Sequence, residues 1–73
     1  MKLKIITPQG ITYDGEAGRV QFRSATGLLE VLPGHAPMIA ELCPGAVTAD
    51  SQELQCGAGV VRVENDAVTV LCE

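Results

Sequence analysis

The stretch Val60-Val61-Arg62-Val63-Glu64-Asn65-Asp66-Ala67-Val68-Thr69-Val70-Leu71 decides the fold class. Val60–Val63 and Ala67–Leu71 are rich in β-branched residues and flank Asn65-Asp66, two residue types that tolerate positive φ. The segment therefore reads as a β-hairpin closed by a tight turn. Successive side chains of a strand point to opposite faces. Val60 and Val61 must face opposite ways, as must Val70 and Leu71, so the hairpin is partly apolar on both sides. One of those faces is expected to meet a partner or a second sheet.

Outward from this hairpin the same pattern repeats. Val20 and Phe22 alternate with Arg19, Gln21 and Arg23, and Leu54 and Cys56 alternate with Glu53 and Gln55. Such alternation describes strands with one buried and one wetter face. Turn signals separate the runs: Pro8-Gln9-Gly10, Asp14-Gly15, Ala25-Thr26-Gly27, Pro33-Gly34, Pro44-Gly45, Asp50-Ser51, Gly57–Gly59 and Asn65-Asp66. Pro33, Pro37 and Pro44 cannot donate to a ladder and mark strand boundaries, leaving Met38–Leu42 as a strand. No capped helical period of about ten residues occurs. The expectation is one all-β domain over residues 1–73, a flattened sandwich or barrel of about 8–10 short strands.

With 73 residues, 47% hydrophobic but only 3% aromatic, the core must be built from Val, Leu, Ile and Ala. So short a chain buries only about 60% of the surface its unfolded chain exposes, and its stability is expected to be marginal without partners. The net charge of −4 and the lack of a basic stripe or stacking aromatics argue against nucleic-acid binding. No apolar run approaches the roughly 20 residues of a membrane-spanning helix. Met1-Lys2-Leu3-Lys4 is followed by no secretory apolar segment, which suggests an intracellular setting. Cys43, Cys56 and Cys72, odd in number and widely spaced, make a poor disulfide framework and read as small buried hydrophobes.

Catalytic chemistry needs groups that converge. The single histidine, His35, sits in a Pro-rich turn with no carboxylate or serine in a catalytic spacing, and is read as structural. Gly57-Ala58-Gly59 leads into a strand and has no following Lys or Ser/Thr, so it is a bend where two backbones approach rather than a phosphate cradle. The acidic residues are scattered. No catalytic residue, cofactor or metal site is expected. A swinging-arm carrier domain would need a lysine at a hairpin tip, and the only lysines are Lys2 and Lys4.

Leu32-Pro33-Gly34-His35-Ala36-Pro37 resembles the signature hexapeptide of the epsilon subunit of F-type ATP synthases, called delta in mitochondria. The resemblance extends through Ile6-Thr7-Pro8, Tyr13-Asp14-Gly15-Glu16, Leu42-Cys43-Pro44-Gly45, Gly59–Val63 and Val68–Leu71, nearly the whole chain. It implies the N-terminal β-sandwich of that family, flattened and ten-stranded. It further implies a non-catalytic place at the foot of the central stalk, with one face on the gamma subunit and a loop on the membrane c-ring. The complex couples proton or sodium flow to ATP synthesis. The loop Ser24-Ala25-Thr26-Gly27-Leu28 corresponds to the c-ring contact, and Val60, Val68 and Val70 are candidates for the gamma-facing surface. Such a protein would sit at the cytoplasmic face of the bacterial inner membrane, touching it only through the complex. The alternative is an unrelated protein-binding β module.

Departures are local. The family usually has an acidic residue where Leu28 stands and a glycine where Glu30 stands, and Gly, Phe and Glu where Ala58, Val60 and Arg62 stand. The usual C-terminal helical hairpin is not present in these 73 residues, so the chain reads as the short form. With no phosphate loop and no helical hairpin, the chain should show no micromolar affinity for ATP. Calorimetric titration checks this, and saturable heat in that range would contradict it.

Overall fold

A computed structural model describes the whole chain, Met1–Glu73. It contains nine strands and no helix: β1 Lys2–Thr7, β2 Gly10–Glu16, β3 Val20–Ser24, β4 Gly27–Val31, β5 Met38–Leu42, β6 Gly45–Ala49, β7 Gln52–Cys56, β8 Gly59–Glu64 and β9 Ala67–Cys72. The all-β expectation holds, with nine strands where the resemblance implied ten.

The strands form one hydrogen-bonded ladder in the order β2-β1-β9-β8-β5-β3-β6-β7, with β4 on β3. Only β1 and β9 run parallel, so the first and last strands of the chain lie side by side within the ladder. The ladder has one thin joint. β5 and β3 share the single partnership Ser24–Leu42, helped by Cys43 N–H donating to the Arg23 carbonyl at 2.9 Å. The two expected sheets are therefore two halves of one curled ladder, β2-β1-β9-β8-β5 and β4-β3-β6-β7.

Period-two patterning explains the curl. Leu3, Ile5, Val61, Val63, Val68 and Val70 of one half join Val20, Phe22, Val31, Val47 and Ala49 of the other in a single buried cluster. Phe22 is the largest fully buried side chain. At about 25 cal/mol per Å² of apolar surface removed from water, this cluster is the main force that curls the ladder.

Strand directions define two ends. The lower end carries the Pro8-Gln9, Ala25-Thr26 and Cys43-Pro44 turns, the Gly57-Ala58 bend and Glu73. The upper end carries the Ala17–Arg19 connection, the Leu32–Pro37 loop, Asp50-Ser51 and Asn65-Asp66. At Asn65 (φ 52°) and Asp66 (φ 59°) both residues are left-handed, as a two-residue turn matching the strand twist requires.

One expected turn is absent. Asp14 and Gly15 lie inside β2, paired with Lys4 and Leu3. Gly15 marks a packing need instead, because the Tyr13 ring lies over it and a Cβ there would come 3.3 Å from the phenol oxygen. A register shift between Ile5 and Ile6 also brings Ile11 opposite Ile6, which puts Ile11 on the outer face.

The Gly57–Gly59 bend is a close approach of backbones, as its sequence suggested. Gly57 N–H donates to the Glu73 carbonyl at 3.0 Å and Glu73 N–H donates to the Ala58 carbonyl at 3.1 Å. A Cβ at Gly59 would overlap the Leu71 carbonyl oxygen. Gly59→Ala forces β8 away from β9 and should cost about 3 kcal/mol, read as a lower urea midpoint with unchanged slope. An unchanged midpoint would contradict this packing.

Candidate functional site

Four features could carry function: the hexapeptide loop, the Ser24–Leu28 loop, the outer face of the β8–β9 hairpin, and the cysteines. In the loop, Leu32-Pro33-Gly34-His35 forms a tight turn in which His35 N–H donates to the Leu32 carbonyl at 3.1 Å. Proline follows the first residue and Gly34 has φ 83°, the arrangement of a type II turn. Gly34 N–H donates to Asp66 Oδ1 at 3.3 Å, and the Asp66 carbonyl accepts from Lys2 N–H at 3.1 Å. Asp66 thus ties the loop to the hairpin tip and to β1. His35 Nδ1 lies 2.7 Å from the Ala36 carbonyl, which only accepts, so the ring is protonated at Nδ1. His35 itself is exposed and faces no catalytic partner.

At the opposite, lower end, the Ser24–Leu28 loop is a tight turn. Ser24 is buried: its Oγ donates to the Gly27 carbonyl at 2.8 Å and accepts from Thr26 N–H at 3.2 Å. Ser24 is therefore a support for the tip and not part of its surface. Ala25, Thr26, Gly27 and Leu28 are exposed, Leu28 at 70%. Beside them a groove of about 300 Å³ opens between the turn and β5, with Leu29, Ile39 and Glu41 in its walls.

The hairpin face needs a correction. Val68 and Val70 point into the core and are fully buried, so they cannot meet a partner. Period-two strands place Val61, Val63, Val68 and Val70 on one face, and that face turned out to be the inner one. Val60 remains, 41% exposed, and it sits directly opposite Leu71, 51% exposed. Leu71 in turn pairs with Ile6, and Ile6 with Ile11, 57% exposed. Four apolar residues on four adjacent strands thus form a row of about 14 Å on the outer face. Leu71 and Ile6 also wall an open groove of about 440 Å³.

Charge lies above this row. The next residues across the strands are Arg62, Thr69, Lys4 and Asp14, then Glu64, Ala67, Lys2 and Glu16. Arg62 pairs with Glu64 within β8. The outer face of the other half is polar, with Gln21 donating to Glu30 at 2.8 Å beside Thr48 and Glu53.

The wide spacing of the cysteines concealed a contact. Cys56 and Cys72 both turn to the core, and burial pushes the Cys56 thiol from 9.0 up to about 12, with the neighbouring thiol of Cys72 adding to the rise. All three cysteines are free thiols.

The whole chain, residues 1–73, matches the family model described as ATP synthase, delta/epsilon chain, β-sandwich domain. The chain belongs to this family. Its relatives include proteins named ATP synthase epsilon chain from Alkalihalophilus pseudofirmus, 35% identical over 100% of this chain and 58% of its own length, and from Gloeothece citriformis, 37% identical over 97% and 54%. The chain thus spans somewhat over half the length of these family members. Two solved structures share the fold. A chain of the Tetrahymena thermophila mitochondrial ATP synthase central stalk/c-ring superposes with a TM-score of 0.78 at 17% identity, covering 99% of this chain and 62% of that one. One from the Euglena gracilis mitochondrial ATP synthase OSCP/F1/c-ring assembly gives 0.80 at 18%, covering 96% and 48%.

Asp66 holds the Leu32–Pro37 loop to the hairpin tip, and the strength of that tie can be measured. Asp66→Ala removes the acceptor of Gly34 N–H and should cost about 1 kcal/mol, whereas Asp66→Asn keeps a side-chain carbonyl and should lose less than half of that. Thermal or urea unfolding of both variants decides it, and equal losses would contradict the hydrogen bond's role.

Proposed function

We propose that this domain is a non-catalytic central-stalk piece of a proton- or sodium-translocating F-type ATP synthase, holding the gamma subunit and the c-ring together as the rotor turns. It couples ion flow to ATP synthesis by transmitting torque and makes or breaks no bond itself. Its place is peripheral, at the cytoplasmic face of a bacterial inner membrane. Support comes from the family match over the full chain and from the names of the relatives.

The observation that carries the reading is the apolar row Val60–Leu71–Ile6–Ile11, on an outer face whose other positions are mostly charged or hydroxyl side chains, with Ile39 exposed beside Arg62 on β5. A contiguous exposed apolar strip of this kind fits a protein surface better than water. The gamma subunit is assigned to this face. The c-ring is assigned to the tip Ala25–Leu28, where apolar Leu28 takes the place of the acidic residue usual in the family. The two assignments are compatible in space, because row and tip both lie toward the lower end.

A lysine at Leu71, whose cross-strand neighbours are Val60 and Ile6, would be buried without a partner on docking, a penalty of about 3 kcal/mol or more, whereas one at Val60 would have Glu41 beside it on β5. Leu71→Lys should therefore weaken gamma binding about 100-fold or more, and Val60→Lys should weaken it by a smaller factor. Both side chains point outward, so circular dichroism and the thermal midpoint should stay near those of the parent. Gln55→Lys, on the polar face of the other half, should bind normally. Titration of each variant with purified gamma subunit checks this. Undiminished binding by both row variants would overturn the assignment of this face.

A further inference from the structure

Cys56 ends β7 and Cys72 ends β9, yet the two sit together at the lower end. The residues that follow them, Gly57 and Glu73, are joined by a backbone hydrogen bond of 3.0 Å, so the two segments run against each other there. Cys72 belongs to the buried core cluster and Cys56 packs against that cluster, so both thiols turn to the same side. After burial, the Cys72 thiol is the group that raises the Cys56 thiol most, as a close neighbour would. Access is asymmetric: Cys56 is half-buried and Cys72 buried, while the open groove beside Leu71 and Gly59 reaches Cys72. Cys43 stands apart in the β5–β6 turn and shares no such neighbour.

We propose that Cys56 and Cys72 are a disulfide-competent pair, oxidised by exchange with low-molecular-weight disulfides to an intrachain bridge. The Cys56 thiolate, as the more accessible group, attacks one sulfur of the small disulfide. The S–S bond of the reagent breaks, and one small thiol leaves and takes a proton from solvent. Cys72 then attacks the Cys56 sulfur, expels the second small thiol and gives up its own proton. Two protein thiols and one small disulfide become one protein disulfide and two small thiols, so the two electrons are accounted for. The bridge ties the end of β9, next to Leu71, to the bend that precedes Val60, and so fixes one end of the apolar row. Burial of the Cys56 thiol makes the exchange slow at neutral pH, and a thiol-rich compartment keeps the pair reduced.

The test incubates the folded 73-residue chain with oxidised glutathione at about pH 9, where more of the thiol is ionised. Remaining thiols are alkylated, and peptides are mapped by mass spectrometry. The expected product is a peptide pair cross-linked through Cys56 and Cys72, at least tenfold more abundant than either bridge to Cys43. In Cys72→Ala the second step is blocked, and a lasting glutathione adduct should accumulate on Cys56. A lasting adduct on Cys56 of the unchanged chain, or complete alkylation of both residues, would overturn the proposal, and neither reading requires the variant to fold.

Discussion

Everything in this domain depends on closing the inner face of one curled ladder over Phe22 with short aliphatic side chains. No helix covers the sheet, and Tyr13 is the only other aromatic residue. Each inward position of β3 and β9 is accordingly buried, from Val20 to Cys72. The curl costs ladder hydrogen bonds, since only Ser24 and Leu42 pair where the two halves meet. Dense packing offsets that loss by letting backbones come close, and Gly59 against Leu71 is the clearest case.

The same constraint explains why the outer surface can be divided. Once the inner positions are spent on the core, outward positions are free to differ from row to row. Toward the upper end they carry Lys2, Lys4, Asp14, Glu16, Arg62 and Glu64, with opposite charges facing each other across β1 and β2. Toward the lower end they carry Val60, Leu71, Ile6 and Ile11. The upper loops are held by carboxylates, Asp66 on Gly34 N–H and Asp50 on Gly18 N–H at 3.0 Å. One end of the domain is thus braced and mostly charged, and the other carries the apolar row, flanked by Glu41 on β5, and is tipped by Leu28.

Much of this was legible in the residues. Alternation in Val20–Arg23 and Gln52–Cys56, the Asn65-Asp66 turn and the proline boundaries all mark elements that the structure contains. The hexapeptide pointed to the family that the full-length match shows. What stayed hidden required knowing which face is inner. Both faces of Val60–Val63 and Val68–Leu71 are apolar in sequence, so nothing local says that Val68 and Val70 are core while Leu71 is surface. The bulge that turns Ile11 outward, and the strand placement that brings Cys56 to Cys72, are likewise products of long-range pairing. Asp14-Gly15 misled because an Asp-Gly pair ordinarily signals a turn, whereas here the glycine makes room for the Tyr13 ring.

The central claim is that the outer row on β8, β9 and β1 is the surface this domain offers to the gamma subunit. Hydroxyl-radical footprinting of the chain, free and in complex with purified gamma, tests it most directly because it reads side-chain access residue by residue. The account predicts that oxidation of Val60, Leu71 and Ile6 falls severalfold in the complex while Leu28 at the lower tip stays reactive. Unchanged reactivity of Leu71 and Val60 in a saturated complex would contradict it.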